Sequence, residues 1–243
     1  MVDYSRMSKF CNTVTENRYQ PFHLRECKSD LSCSTFKSLA FGKYHNIWKN
    51  IPLMKDPLSL SMYQNLFQEV SFRTIFELGS YEGASALWMD DIQKTLGKSC
   101  EIYSFDIDLS LIHEKCKNIK NIHFLKLDAT KITQNLDHEF INKCPKPWLV
   151  IEDCHVNVVN TLSFFAKYST TGDYFIVEDT NPLGPASPEV IADDGMYKVF
   201  GNKKYDEVST FIQLFPKFKV DTKYCDHYGY NSSWQWNSVL VNI

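Results

Sequence analysis

Two pairs of adjacent acids, Glu152–Asp153 and Glu178–Asp179, each follow an apolar run of the sequence. Four carboxylates brought together repel one another unless a cation lies between them. Oxygen ligands of this kind suit Mg²⁺ or a similar divalent ion. Any one of these acids alone is more simply explained as a solvated residue at the start of a loop. Because the same pair recurs after two runs, the pattern favours a metal site.

A histidine, His155, follows the first acidic pair. Three roles are open for it from sequence. It could act as a general base, it could hydrogen-bond a metal-binding carboxylate, or it could be an ordinary hydrogen-bonded loop residue.

The stretch FELGSYEG, residues 76–83, places two glycines four positions apart behind an apolar run. A dinucleotide site needs a further glycine between them so that the backbone can approach a pyrophosphate, and Tyr81 occupies that region instead. Carboxylates at Glu77 and Glu82 would repel a pyrophosphate but suit a cationic ligand. S-adenosylmethionine, which carries a sulfonium and an ammonium but no phosphate, fits this turn better than NAD.

Two further acids support a nucleoside-containing cofactor. Asp106 ends a strand-like run 23 residues after Gly83, near the distance at which an acid meets ribose hydroxyls. Asp128 ends the next run, where it could reach an adenine amine. A lone pair of glycines is more often a packing feature, but three strand-end acids in order, Glu77, Asp106 and Asp128, favour a cofactor site.

Short apolar runs alternate with helical patterns from residue 73 onward, which predicts a parallel sheet covered by helices on both faces. In such sheets ligands bind outside the carboxyl ends of the strands, where these acids lie. Helices are predicted over 83–97, 157–168 and 205–215. The predicted strands are 73–78, 101–107, 123–128, 148–153 and 173–179, followed by two antiparallel strands near the C-terminus.

Two segments have less regular patterns. Residues 181–204 are rich in Pro, Gly and Asp and are predicted to form a long loop that acts as a lid or binding loop. Residues 1–50 are polar and aromatic without a clear period, and we expect helices there that cover the ligand edge of the sheet or contact a partner subunit. The catalytic domain is therefore predicted to span 51–243.

The composition excludes several classes of protein. A net charge of −3 with 23% charged residues argues against a general nucleic-acid binder. No apolar run has the length of a membrane span, and the N-terminus lacks the apolar region of a signal peptide. The eight cysteines include no C-x-x-C pair, so metal-thiolate spacing is absent and the predicted compartment is the cytoplasm.

From about Lys55 almost to the C-terminus, the sequence resembles the so-called cephalosporin hydroxylase family. Its members include S-adenosylmethionine-dependent O-methyltransferases, among them cephalosporin 7-hydroxyl and rhamnosyl enzymes. The resemblance implies a Rossmann-like class I methyltransferase fold, with a mostly parallel seven-stranded sheet and an N-terminal helical extension. It rests on the stretches MKDP (54–57), FELGSYEGAS (76–85), FDIDLS (105–110), LDAT (127–130), IEDCH (151–155), TGDYFIVEDT (171–180) and YNSS (230–233).

Carried over by position, the resemblance implies metal ligation by Glu152, Glu178 and Asp179, with His155, Glu152 and Asp153 as catalytic candidates. The family usually has Asp where this chain has Glu152, so Asp153 is an alternative ligand. The arginines that the family usually carries at its C-terminal end are absent here. The implied cofactor-binding residues are Glu77, Gly79, Ser80, Tyr81, Gly83, Ser85, Asp106, Ile107, Asp128, Ala129 and Glu152.

The expected activity is therefore metal-dependent transfer of a methyl group from S-adenosylmethionine to a hydroxyl of a small molecule, such as a specialised metabolite or a sugar. Three alternatives remain open from sequence. These are methylation of a small amine, redox or epimerase chemistry with NAD or a nucleotide sugar, and a catalytically silent binding subunit. The resemblance also makes a homo-oligomer the expected assembly.

Overall fold

The computed structural model describes residues 17–181 and 203–243. Its strands are β1 (Tyr19–Gln20), β2 (Ile47–Trp48), β3 (Ile51–Pro52), β4 (Thr74–Leu78), β5 (Glu101–Asp106), β6 (Ile122–Lys126), β7 (Trp148–Glu152), β8 (Tyr174–Val177), β9 (Phe218–Asp221) and β10 (Val239–Asn242). Its α-helices are α1 (Cys33–Lys43), α2 (Pro57–Glu69), α3 (Ala84–Thr95), α4 (Ile132–Asn135), α5 (His138–Lys143), α6 (Val158–Ala166), α7 (Lys203–Leu214) and α8 (Thr222–Cys225).

The main sheet has the strand order β1-β9-β10-β8-β7-β4-β5-β6. The strands from β6 to β8 along this order are parallel, whereas β10, β9 and β1 pair antiparallel beyond β8. Leu78 at the end of β4 lies between Phe105 of β5 and Glu152 of β7, so the carboxyl ends of the parallel strands share one edge. The predicted mostly parallel sheet is confirmed, with eight strands instead of seven because the short β1 joins its edge.

Helices cover both faces of the sheet, as predicted. On one face, the rings of Phe76 in β4 and Phe165 in α6 have centroids 5.0 Å apart, and Phe175 of β8 stacks on Phe211 of α7. Their sequence neighbours point to the other face, where Tyr174 packs against Phe72 just after α2. The three predicted helices are confirmed as α3, α6 and α7. These two apolar layers hold the strand ends in fixed register.

The described part of the N-terminal region differs from the helical extension expected from sequence. It contains one long helix, α1, but also β1 and the hairpin of β2 and β3. β1 pairs with β9, and the guanidinium of Arg18 donates two hydrogen bonds to the buried carboxylate of Asp221. Part of this region is therefore built into the sheet.

Two sequence expectations lie wholly or mainly outside the described residues. They are the structure of residues 1–16 and the loop predicted over 181–204, of which 182–202 fall outside. Within the described ranges, none of the helices combines the length and the apolar character needed to cross a membrane.

Candidate active site

A cavity of about 620 Å³ opens at the carboxyl ends of the parallel strands. Residues predicted to bind the cofactor and residues predicted to be catalytic or to bind the metal ion both line this cavity. The predicted cofactor residues that line it are Gly79, Tyr81, Asp106, Ile107, Asp128 and Ala129, and the predicted catalytic or metal residues are Asp153, His155 and Asp179. The fold thus brings the glycine turn and the second acid of each Glu-Asp pair to one space.

The glycine turn between β4 and α3 is sterically fixed. Gly79 has φ +106°, and a Cβ built there would lie 2.7 Å from the carbonyl oxygen of Asp153. A Cβ at Gly83, where φ is +84°, would lie 2.8 Å from the ring of Phe124. Both positions therefore require glycine for conformation and for space. The close approach of Gly79 to Asp153 also puts the turn in direct contact with the acidic cluster.

Asp106, at the end of β5, organises this turn. One carboxylate oxygen accepts hydrogen bonds from the main-chain N–H groups of Ser80 (2.9 Å) and Tyr81 (3.1 Å). The other oxygen accepts from the N–H of Asp108 at 3.1 Å. The residue predicted to bind ribose lines the cavity, and it also shapes the turn through backbone contacts.

Asp128 follows β6, the edge strand of the sheet, and lines the part of the cavity next to that strand. Its carboxylate accepts hydrogen bonds from the N–H (3.0 Å) and the hydroxyl (2.6 Å) of Thr130. These bonds lower the pKa of Asp128 below its usual value. The exposed Ile107 and the buried Ala129 form apolar walls nearby. This end offers an ionised acceptor beside apolar surface, which suits an adenine ring.

The remaining predicted cofactor residues lie beneath or beside the turn. Ser80 and Ser85 border a small adjoining cavity of about 40 Å³, which Asp153 also borders. Glu77 is buried in β4 and accepts a hydrogen bond from the Ser104 hydroxyl at 2.5 Å. Burial raises the pKa of Glu77 to about 7, although hydrogen bonds from Ser104 and Ser85 act in the opposite direction.

Three potential metal ligands converge at the opposite side of the cavity. Asp153, His155 and Asp179 each offer a ligand atom within 4.8 Å of the others. His155 Nε2 lies 3.6 Å from Asp153 Oδ1 and 3.5 Å from Asp179 Oδ2. The backbones of His155 (φ +59°) and Asp179 (φ +54°) are left-handed, which is costly for residues other than glycine and is typical of functional sites.

Glu152, predicted both as a metal ligand and as a cofactor contact, points away from this cluster. Its side chain is fully buried, with Oε2 2.9 Å from the ammonium of Lys204. Oε1 accepts hydrogen bonds from the N–H of His155 (2.9 Å) and the thiol of Cys154 (3.2 Å). Within the described residues it borders neither the main nor the small cavity. These hydrogen bonds indicate that Glu152 holds the turn that carries His155, and that it does not face the cavity.

Glu178, the second predicted ligand, is also enclosed. One oxygen accepts from the ammonium of Lys55 (2.8 Å) and the hydroxyl of Tyr63 (2.5 Å), and the other accepts from the amide of Gln235. Lys55 also reaches Asp153 at 2.9 Å. Burial opposes the charge of Lys55, but Asp153 and Glu178 outweigh it and raise the pKa of this lysine well above its usual value.

The structure thus joins Asp179 with Asp153 and His155, whereas the family resemblance implied a group of Asp179 with Glu152 and Glu178. The physical reason is that the buried Lys204 and Lys55 pair with Glu152 and Glu178 and hold these two acids inside the protein. The first acid of each pair turns into the protein and meets a buried lysine. The second acid turns to the cavity. The alternative ligand named from sequence, Asp153, is the one that the described geometry favours.

Several cavity residues were not identified from sequence. Lys43 of α1 lies with its Nζ 3.9 Å from Asp179 Oδ1, and Tyr44, Met54, Asn181 and Trp234 complete the wall. They come from distant parts of the chain, so no spacing pattern links them. The buried partners Lys55 and Lys204 stand in stretches whose composition does not indicate burial.

Asp179 is held in its charged form. Burial opposes ionisation, but the ammonium of Lys43, followed by His155 and Lys204, keeps the pKa of Asp179 well below its usual range. A carboxylate must be deprotonated to bind a metal ion. The cluster therefore has one ligand that is ionised at any physiological pH.

The sheet order, with one antiparallel strand inserted beyond β8, and the glycine turn followed by strand-end acids define a class I S-adenosylmethionine-dependent methyltransferase. The family model described as rhamnosyl O-methyltransferase/CmcI matches residues 41–235. The chain belongs to that family. The family and the S-adenosylmethionine cofactor predicted from sequence are confirmed.

Curated relatives and solved structures agree. The rhamnosyl O-methyltransferase of Mycobacterium tuberculosis (strain H37Rv) is 21% identical over 197 residues, covering 77% of this chain and 73% of that protein. The corresponding protein of Mycobacterium leprae (strain TN) is 23% identical over 177 residues, covering 70% and 71%. A structure of CmcI with Mg and S-adenosylmethionine is 25% identical with a TM-score of 0.64, covering 82% of this chain and 77% of that one.

Proposed function

We propose that the chain methylates a hydroxyl of a small-molecule acceptor at a divalent cation held by Asp153, His155 and Asp179. The observation that carries the proposal is the contact between the glycine turn and this cluster, since Gly79 packs directly against the carbonyl of Asp153. Donor and acceptor sites therefore share one cavity. The CmcI structure that contains Mg and S-adenosylmethionine supports the same pair of cofactors.

The donor set fits such an ion. Two carboxylates and an imidazole on neighbouring turns offer the oxygen and nitrogen ligands that Mg²⁺, Mn²⁺ and related ions accept. When bound, the cation would lower the pKa of a coordinated acceptor hydroxyl. The methyl group would pass from sulfur to that oxygen by in-line displacement, which leaves S-adenosylhomocysteine and releases one proton.

The side chains of the cavity would divide the remaining tasks. The turn over Gly79–Gly83, with Asp106 behind it and Asp128 at the far end, would hold the cofactor. With all three residues of the cluster on the ion, a water molecule in the cavity would take the proton. Alignment of the two reactants can itself supply several kcal/mol.

The described N-terminal residues contribute to the acceptor side. Lys43 and Tyr44, both within the predicted 1–50 extension, line the same wall as Trp234. We therefore propose that this extension shapes the acceptor pocket. A sugar or other natural-product hydroxyl is the acceptor class we favour, because the curated relatives are named as rhamnosyl O-methyltransferases. Homo-oligomerisation remains a prediction.

Cytoplasmic residence is likewise a proposal. It is supported by Cys100, Cys116, Cys144 and Cys225, which are buried free thiols in the structure. Buried, reduced cysteines pack as small apolar side chains, as in reducing compartments.

The test is turnover with S-adenosylmethionine, measured as S-adenosylhomocysteine released over a panel of glycosides and vicinal diols, with and without Mg²⁺. Removing a metal-binding carboxylate should cost at least about 100-fold in kcat/KM, so Asp179→Asn should match chelated wild type. The control Asp137→Asn makes the same chemical change at the N-terminus of α5, away from the cavity. Full activity in exhaustively chelated protein would contradict the proposal.

A further inference from the structure

We infer that Lys204 is a positioning residue for the candidate metal site and that it acts through the carboxylate of Glu152. The inference rests on the proposed function, because it concerns the same cluster. It assigns roles to two residues that do not themselves belong to the cluster.

Glu152 fixes the turn that carries two of the three candidate ligands. Oε1 accepts a hydrogen bond from the main-chain N–H of His155 at 2.9 Å, so the segment Asp153–His155 folds back over this carboxylate. The thiol of Cys154 donates to the same oxygen at 3.2 Å. His155 has a left-handed backbone (φ +59°), and its N–H group has Glu152 Oε1 as its acceptor. A displaced Glu152 carboxylate would release this turn.

Lys204 joins that turn to the neighbouring strand end. Its ammonium lies 2.9 Å from Glu152 Oε2 and donates a hydrogen bond of 2.6 Å to the carbonyl of Glu178. Glu178 immediately precedes Asp179, the third candidate ligand. One buried ammonium, 2% exposed as a residue, therefore contacts the supports of all three ligands. It comes from the first turn of α7, which ties the orientation of this helix to the cluster.

Neutralising only Glu152 or only Lys204 would destabilise the protein around this buried ion pair. Removing one partner of a buried ion pair leaves the other charge uncompensated, whereas replacing both partners by neutral groups is far better tolerated. This gives the pair a distinctive mutational signature. A Gln at position 152 would also keep an oxygen that can accept from the N–H of His155, whereas an Ala would not.

A competing account is that Lys204 substitutes for the metal ion by neutralising the acids. The two accounts predict opposite changes in metal affinity. If Lys204 substitutes for the ion, its removal should strengthen metal binding. If it positions the ligands, its removal should weaken binding.

The experiment measures Mn²⁺ affinity of the full-length protein by electron paramagnetic resonance of free Mn²⁺, together with the melting temperature. Lys204→Met should weaken Mn²⁺ binding at least about tenfold, and Lys204→Arg should recover part of the loss. The double variant Glu152→Gln/Lys204→Met should bind within about threefold of wild type. The double variant Glu152→Ala/Lys204→Met, equally neutral, should again bind at least about tenfold more weakly.

The control is Lys146→Met, which removes the ammonium 2.9 Å from the buried Asp173 at the opposite end of the same strands. It should lower the melting temperature and leave Mn²⁺ affinity unchanged. If Lys204→Met fails to fold, Lys204→Arg still tests the role of Lys204, and the two neutral double variants test whether the oxygen at position 152 holds the turn. Tighter Mn²⁺ binding in Lys204→Met, or equal affinity in the two double variants, would overturn the inference. Wild-type protein that binds no Mn²⁺ would refute the metal proposal itself.

Discussion

The amino ends and the carboxyl ends of strands β7 and β8 have similar buried pairs of an acid and a lysine, but different roles. At the amino ends, the buried carboxylate of Asp173 accepts from the N–H of Trp148 (2.7 Å) and the ammonium of Lys146 (2.9 Å). At the carboxyl ends, the buried carboxylate of Glu152 accepts from a main-chain N–H and lies beside the ammonium of Lys204. Each end thus has an enclosed acid, a lysine and a backbone donor.

The two ends differ in the residue next to the enclosed acid. At the carboxyl ends, Asp153 and Asp179 come directly after Glu152 and Glu178 and face the cavity, with 27% and 29% of their side chains exposed. At the amino ends, the structure shows no such second acid among the residues it describes around Asp173. The comparison teaches that a buried acid paired with lysine is a structural device in this fold, and that the acid beside it is the one to which we assign metal binding in our proposal.

The largest effect is expected for a change at the amino end of β8, which should lower stability and leave activity unchanged. Asp173→Asn should lower the free energy of unfolding by about 3 kcal/mol, because it removes a buried charge that Lys146 and two N–H groups rely on. The folded fraction should keep wild-type kcat/KM. Urea denaturation and steady-state kinetics on one preparation measure both quantities.

Asp179→Asn serves as the matched change at the other end. It should abolish metal-dependent turnover. Because Lys43 and His155 hold the pKa of Asp179 low, the variant should also lose stability, but less than Asp173→Asn, since 29% of the Asp179 side chain is exposed and the Asp173 side chain is fully buried. If both variants lost activity in proportion to stability, the two ends would not differ in role.

A pH-dependent effect concerns Glu77, a third buried acid at this edge, which accepts a hydrogen bond from the Ser104 hydroxyl. Its pKa is raised to about 7 mainly by burial. The native state therefore holds this proton more tightly than the unfolded state does. The stability it contributes is complete below the unfolded pKa near 4.5 and is lost as pH rises through 7.

Glu77→Gln removes this titration. The unfolding free energy of the variant should gain up to roughly 3 kcal/mol on that of wild type between pH 4.5 and pH 8. Denaturant titrations of both proteins across that range give the difference directly. A constant difference between the two proteins would show that Glu77 titrates normally in the native state.

The fold was largely predictable because its signals are local. The apolar runs, nearly all ending in an acid, marked β4 to β8, and the spacing of Val208, Phe211 and Ile212 marked α7. Two-residue strands such as β1 carry no such pattern. β1 is held by Arg18 and Asp221, which are 203 positions apart in sequence.

The candidate site was predictable only to the level of the segment. Sequence placed Glu152–Asp153 and Glu178–Asp179 at one edge, but which acid of each pair faces the cavity depends on Lys55 and Lys204, whose burial is a tertiary property. The same limit applies to Lys43 and Trp234, which reach the cavity from opposite ends of the chain.

The measurement that tests the central claim most directly is the location of a bound ion. Crystals of the protein grown with S-adenosylhomocysteine and Mn²⁺ should give one anomalous scattering peak among Asp153, His155 and Asp179, with ligand distances of about 2.0–2.3 Å. Glu152 should remain beside Lys204. A peak coordinated by Glu152 and Glu178 with His155 unbound, or no peak at saturating Mn²⁺, would contradict the account.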